Sequence, residues 1–395
     1  MKISSGNLLD LSADQENSLD CLMDWYLTKN KRQFITLGGF AGTGKTTLIA
    51  YLRQQLDQEN KKLKVVFCSY TGRATRVLRQ RLKNSGALFI QDEVSTIHGL
   101  IYSPVINERD EITGWKLKEN LNCELIVIDE ASMVDEQIWR DLLSFKKPII
   151  AVGDHGQLPP IRANFNLMEF PDLKLEQIHR QAKNNPIIKL SIMARQNGNI
   201  PAGNYQNFVC KYNRQNSSTQ EIIVETLNQY NQDTLILCGY NFTRLKINRY
   251  LRGVLGFNSP IPQTGDRVIC LRNNHNANIF NGMLGTIEKI QTKDSDKYKV
   301  DIEMDGEEEI YSGKVLACQF DNPETINFTK NRRITKKVDL FDFGYALTVH
   351  KAQGSQAKRV VLFEEKFSRM DENMWRRWLY TAVTRAEEEL IIFGN

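Results

Sequence analysis

Short, nearly continuous apolar runs recur along the first part of the chain: Phe34-Ile35-Thr36-Leu37, Leu63 to Ser69, Leu125-Ile126-Val127-Ile128 and Pro148-Ile149-Ile150-Ala151-Val152. Runs this short, without polar alternation, predict strands buried on both faces. Thr46 to Leu56 instead spaces its apolar residues at the helical period, which predicts an amphipathic helix after the first strand. The pattern then resumes with a strand at Thr234 to Cys238, a helix at Asn241 to Leu251, a strand at Arg359 to Phe363, a helix through Met374 to Arg385 and a closing strand at Leu390 to Phe393. Alternating strands and helices of this kind predict an α/β fold with two doubly wound parallel-sheet domains, 1–168 and 169–395. Two segments break the pattern. Residues 103–120 are polar with a turn near Arg109-Asp110, predicting a β-hairpin insert, and 265–337 carry alternating strand-like runs between Asn, Gly and Asp turns, predicting a small antiparallel β-barrel insert.

Composition changes this picture little. The 395 residues are 41% hydrophobic and 25% charged, a globular mix long enough for two or three cores. The N-terminal segment joins no basic flank to a long apolar run and no stretch approaches a membrane span, so the expectation is a cytoplasmic protein of a bacterial or phage-infected cell with no membrane partner. Seven scattered cysteines with no C-x-x-C pair read as reduced residues, neither a zinc site nor a disulfide frame. A net charge of +5 only mildly favours a polyanionic partner.

Candidate chemistry changes it a great deal. Gly39-Phe40-Ala41-Gly42-Thr43-Gly44-Lys45-Thr46 fits the phosphate-loop pattern G-x-x-x-x-G-K-[ST] and lies between a predicted strand and a predicted helix, the required context. Glycines let backbone N–H groups from Gly42 through Thr43, Gly44 and Thr47 curl around phosphates, Lys45 supplies a cation, and the Thr46 hydroxyl is placed for Mg²⁺. This predicts binding of ATP with Mg²⁺. Asp129 and Glu130 close a strand as a Walker B pair, Asp129 for the metal's water shell and Glu130 to orient and deprotonate the attacking water. Gln157, in Gly153-Asp154-His155-Gly156-Gln157-Leu158-Pro159-Pro160, offers a neutral amide able to sense the γ-phosphate on a loop stiffened by two prolines.

A phosphate loop alone fits kinases, GTPases and transporters. The ordered series that follows it is more specific: Thr71-Gly72-Arg73-Ala74, Ser95-Thr96-Ile97-His98, Asp129 to Ser132, Gly153 to Pro160, Glu176 to Gln181, Tyr345 to Ser355 and Leu379 to Ala386. The series resembles the helicase motifs of superfamily 1 and looks most like the RecD and phage Dda branch, superfamily 1B. The resemblance implies two RecA-like domains, an SH3-like barrel for the second insert, suggested by Gly265 to Ile269 and Asn281 to Gly285, and a duplex-splitting pin for the hairpin, with Trp115 as the side chain to watch for stacking on a base. It implies an ATP-dependent DNA helicase moving 5′ to 3′ on single-stranded DNA. The alternative is a DNA-stimulated ATPase that displaces bound proteins without productive unwinding. By position, the resemblance assigns Gln15, ahead of the first helix, to the adenine edge, and Arg180 and Arg385 to the γ-phosphate. His179 replaces the aromatic residue that stacks on the base. Thr71, Arg73, Thr96, His98, Thr348 and His350 are assigned to loops touching the DNA strand, and Asn241 to the strand in the second domain. Implied partners are single-stranded DNA, its junctions with duplex, and single-strand-binding, replication or recombination proteins, with the chain acting as a monomer.

Overall fold

The computed structural model describes residues 11–28, 32–106, 112–159, 165–178, 184–206, 208–274, 277, 279–307, 309–326 and 338–395, with the side chains of Arg73, Ile106, Ile112 and Thr113 outside that description. The first half contributes β1 (Phe34–Gly39), β2 (Val65–Ser69), β3 (Glu93–Thr96), β4 (Tyr102–Ile106), β5 (Ile112–Leu117), β6 (Leu125–Asp129), β7 (Ile149–Gly153) and β8 (Leu173–Leu175). Its helices are α1 (Ala13–Leu27), α2 (Lys45–Glu59), α3 (Gly72–Asn84), α4 (Ile97–Ile101) and α5 (Glu136–Ser144). Six of the strands form one parallel sheet in the order β3-β2-β6-β7-β1-β8. The apolar runs are continuous because both faces are covered. Val65 and Phe67 pack with Leu48, Leu52 and Leu56 of α2, whereas the intervening Val66 and Cys68 pack with Ile97, Leu100 and Trp139 on the other side. β4 and β5 pair antiparallel as a hairpin, with Trp115 opposite Pro104.

The second half runs β9 (Gly203–Asn204), β10 (Val209–Asn213), β11 (Thr234–Cys238), β12 (Arg267–Cys270), β13 (Leu284–Gln291), β14 (Lys297–Met304), β15 (Tyr311–Leu316), β16 (Phe341–Phe343), β17 (Ala346–Thr348), β18 (Ala357–Phe363) and β19 (Ala386–Gly394). Its helices are α6 (Pro186–Asn197), α7 (Ser218–Asn228), α8 (Asn241–Val254) and α9 (Glu372–Val383). The sheet order is β17-β11-β18-β19-β10-β9, parallel except for β9. β12 to β16 form a separate antiparallel sheet, β15-β14-β13-β12-β16, around a core that includes Val268, Ile287, Val300, Ile302, Tyr311 and Phe341. Two buried ion pairs pin this insert to α8: Arg252 Nε to Asp266 Oδ1 at 2.8 Å and Arg244 to Asp342 at 2.7 Å.

Both expected boundaries shift. Leu173–Leu175 adds to β1 as the edge of the first sheet, past residue 168, and Phe341–Phe343 pairs with β12 beyond residue 337. Each strand is three residues long and is defined by a distant partner, which local patterning does not encode. All seven cysteines are free thiols; Cys68, Cys123, Cys238 and Cys270 are core residues, but Cys21 and Cys318 are exposed.

Candidate functional site: a phosphate loop facing the second sheet

β1 ends at Gly39 and the chain turns into α2 through Gly42 and Gly44, both left-handed at φ 79° and 75°, a conformation that favours glycine. Thr43 is fully buried and its hydroxyl donates to the Phe40 carbonyl at 2.8 Å, which tightens the loop. Lys45 Nζ lies within the loop, donating to the carbonyls of Gly39 (2.8 Å) and Phe40 (3.1 Å). Thr46 and Thr47 open α2, half-buried.

Gln15 is placed differently from expectation. It sits inside α1, fully buried, its carbonyl oxygen accepting the Ser12 N–H at 3.0 Å and its amide donating to the Thr43 carbonyl at 3.0 Å. The side chain therefore braces the phosphate loop against α1, from within the first helix and not ahead of it.

Asp129 ends β6 and Glu130 follows it. Glu130 is left-handed at φ 54°, an uncommon conformation for a side-chain-bearing residue worth about 1–2 kcal/mol of strain, and its N–H donates to Asp129 Oδ1 at 3.0 Å. Burial raises both carboxyls above their ordinary range; the Asp129 charge raises Glu130 further, while Arg385 and Lys45 oppose that rise. Among the described residues, Glu130 Oε2 and Gln157 Oε1 are buried without a hydrogen-bond partner. Acceptors of that kind suit a bound water or a hydrated cation.

The second sheet meets this site through α9 and its exit. Arg385 is buried and fixed by three bonds, to the carbonyls of Thr381 and Ser355 (both 3.1 Å) and to the Thr384 hydroxyl (3.3 Å). Arg377 donates to the Gln157 carbonyl (3.0 Å), Gln353 to the Leu158 carbonyl (2.6 Å), and the Thr381 hydroxyl accepts the Leu158 N–H (2.9 Å). Arg195 of α6 stacks over the Phe40 ring at 3.7 Å. Sequence patterning missed Arg195, Arg377 and Tyr380; Tyr380 lies inside a quoted motif, but neither spacing nor residue type signalled its cross-domain contacts. His179 and Arg180 lie outside the described residues.

The candidate strand-contact residues fall into two groups. Thr71 and Thr96 are helix N-caps, accepting the N–H of Ala74 (3.2 Å) and Gly99 (3.1 Å). His98 is buried among the rings of Tyr70, Tyr102 and Phe280, the last from the insert. Arg73 is in the first turn of α3. Thr348 precedes the 3-10 turn Val349–Ala352 that carries His350, whose pKa burial lowers. Asn241 is exposed in the first turn of α8, its side-chain oxygen accepting from Arg244 Nε at 3.2 Å, and the helix N-cap is Tyr240.

The AAA domain family model matches residues 11–211, just over half of the chain, and the UvrD-like helicase C-terminal domain model matches 343–393. The ATP-dependent RecD2 DNA helicase of Deinococcus radiodurans is 26% identical over 411 residues, covering 98% of this chain and 49% of its own length. The ATP-dependent DNA helicase dda of Enterobacteria phage T4 is 30% identical over 200 residues, 47% of this chain and 43% of its own length. The chain belongs to the superfamily 1B helicases of the RecD/Dda-like branch. It spans about half the length of the curated relatives it matches. Among solved structures, a Pif1 helicase described in DNA unwinding at forked dsDNA superposes with a TM-score of 0.52 at 19% identity, over 97% of this chain and 92% of its own. Bacteroides Pif1 bound to ssDNA gives 0.51 at 19% identity with the same coverage. The family's α/β fold is thus shared along the chain.

Proposed function

We propose that this chain is an ATP-dependent DNA helicase that moves 5′ to 3′ along single-stranded DNA. The observation that carries the proposal is a buried Glu130 carboxylate oxygen, without a hydrogen-bond partner among the described residues, that feels the charges of Lys45 in the phosphate loop and of Arg385 from the second domain. A site assembled from two domains can make closure depend on the nucleotide between them.

In this reading the amides of Gly42 to Thr47 and the ammonium of Lys45 hold the phosphates. The Thr46 hydroxyl and Asp129 would hold Mg²⁺, which supplies charge neutralisation at the β- and γ-oxygens when bound. Glu130 orients a water and takes its proton; burial raises its basicity for that task. Gln157 senses the γ-phosphate, and Arg180 and Arg385 meet the charge that builds on the transferred group. His179 takes the role of the family's base-stacking aromatic residue. Hydrolysis loosens the grip of Arg385 on the first domain, and the two footholds on DNA alternate. Thr71, Arg73, Thr96 and His98 serve one foothold and Asn241, Thr348 and His350 the other, through phosphate contacts that do not read sequence. The β4–β5 hairpin acts as the pin and the β12–β16 insert as an SH3-like guide beside it. The substrate is a junction of single strand and duplex, with the chain active as a monomer.

ATP hydrolysis measured with and without single-stranded DNA tests the first half of this reading. Hydrolysis stimulated by DNA, and lost in Lys45→Ala, is the expected result. Hydrolysis indifferent to DNA would point to another P-loop enzyme.

A further inference from the structure

The hydroxyl of Tyr380 has no part in the roles above, yet it joins three pieces of the site. Tyr380 sits on α9 and is fully buried. Its Oη donates to Asp154 Oδ2 at 2.6 Å and accepts the Ala41 N–H at 2.7 Å. Ala41 is inside the phosphate loop, and Asp154 opens the loop that carries Gln157. One phenol from the second domain therefore holds two nucleotide-facing elements of the first.

The surroundings are built for this placement. The ring meets Phe40 edge-on at 6.0 Å, and a Cβ on Gly156 would come within 2.9 Å of Phe40 and 3.0 Å of Tyr380, so that close approach requires glycine. Asp154 is itself held, its Oδ1 accepting the Gly156 N–H at 2.9 Å. Burial and the Asp154 charge keep the phenol neutral, with a pKa far above its ordinary value, so it both donates and accepts. Arg377, Thr381 and Gln353 also grip the Gln157 loop, but of these four side chains Tyr380 alone reaches the phosphate loop. A phenol needed only as core filling would be satisfied by any one partner. This one divides its hydroxyl between a carboxylate and a loop amide, and undocking α9 would take the phenol away from both.

We infer that Tyr380 is a positioning residue whose hydroxyl couples the seating of the second domain to the shape of the phosphate loop, so that hydrolysis runs at full rate only when α9 is docked. The inference rests on the proposed ATPase function and names the contact that links closure to chemistry.

The test uses the full chain with saturating oligo-dT, comparing wild type, Tyr380→Phe, Asp154→Asn and the double variant for kcat, KM for ATP, and base pairs opened per ATP on a tailed duplex. Tyr380→Phe keeps the ring against Phe40 and removes only the hydroxyl. The expected result is a fall in kcat of about tenfold with KM for ATP within about threefold, fewer base pairs opened per ATP, and a double variant no worse than the poorer single one. Asp154→Asn removes the charged acceptor independently and is expected to show the same split. If Tyr380→Phe lowers the melting temperature but leaves kcat and the coupling ratio within twofold of wild type, the hydroxyl is structural and the inference is overturned. Losses that multiply in the double variant overturn it as well. A wild-type chain that hydrolyses no ATP on oligo-dT contradicts the proposed function instead.

Discussion

Lys45 and Glu130 carry the chemistry in this account, and each makes a separable prediction. Lys45→Ala removes the cation that faces the phosphates and is expected to lower kcat/KM for ATP by about 10²–10³-fold. Glu130→Gln keeps the shape but not the base, so steady-state hydrolysis should drop by about 10²–10⁴-fold while binding of a fluorescent ATP analogue persists. Loss of binding in Glu130→Gln would remove it from the role of base. His350 gives a pH signature. Burial lowers its pKa below the ordinary 6.5, so the unfolded chain takes up this proton at higher pH than the folded one. Its contribution to stability is complete above 6.5 and is lost as pH falls below that value. The melting temperature of the DNA-free chain should therefore decline less from pH 7 to 5.5 in His350→Gln than in wild type; an unchanged decline would contradict the burial argument. The local structure around Gly39 to Thr46 and at Asp129 was legible in the sequence because its signals are local: a strand end, a glycine turn, a helix start. Tyr380 was not, because its partners Asp154 and Ala41 lie 226 and 339 residues away.

Element by element, legibility followed length and burial. β1, β6, β7 and β11 are buried along most of their length and read directly as apolar runs. β8, with Leu-Lys-Leu, and β17, with Ala-Leu-Thr, are too short to carry a period and exist because β1 and β11 offer them an edge. The antiparallel sheet of the second insert was visible from alternation such as that of β14, whose inward residues are Tyr298, Val300, Ile302 and Met304. Its anchoring was not visible. Arg252 and Asp266 are both buried, and Asp266 also accepts the Tyr345 hydroxyl at 2.8 Å. Asp266→Ala leaves the buried Arg252 charge without its carboxylate, held only by the Ser259 and Ile261 carbonyls, and should destabilise the chain by about 3–5 kcal/mol in urea unfolding, whereas replacing both partners by apolar residues should cost far less. Equal losses in the single and paired variants would show that the ion pair is not what seats the insert. The hairpin has its own test. Trp115→Ala should reduce strand separation several-fold and leave DNA-stimulated hydrolysis near wild type; a parallel loss of hydrolysis would assign Trp115 to holding the first domain together.

For the whole molecule, two largely parallel sheets meet around the phosphate loop, and α9 and its exit bring Arg385, Arg377 and Tyr380 of the second domain to the first domain's Glu130, Gln157 loop and phosphate loop. In the proposed reading, nucleotide state and domain separation form one equilibrium, the minimal requirement for a motor that steps on a strand. The most direct measurement is ATP-driven strand separation of two partial duplexes, one with a 5′ single-stranded tail and one with a 3′ tail, with Lys45→Ala as the inactive control. Opening of the 5′-tailed duplex alone, and none with Lys45→Ala, is the expected result. Opening from the 3′ tail alone would contradict the polarity, and DNA-stimulated hydrolysis with neither duplex opened would contradict helicase action and leave a translocase that displaces bound proteins.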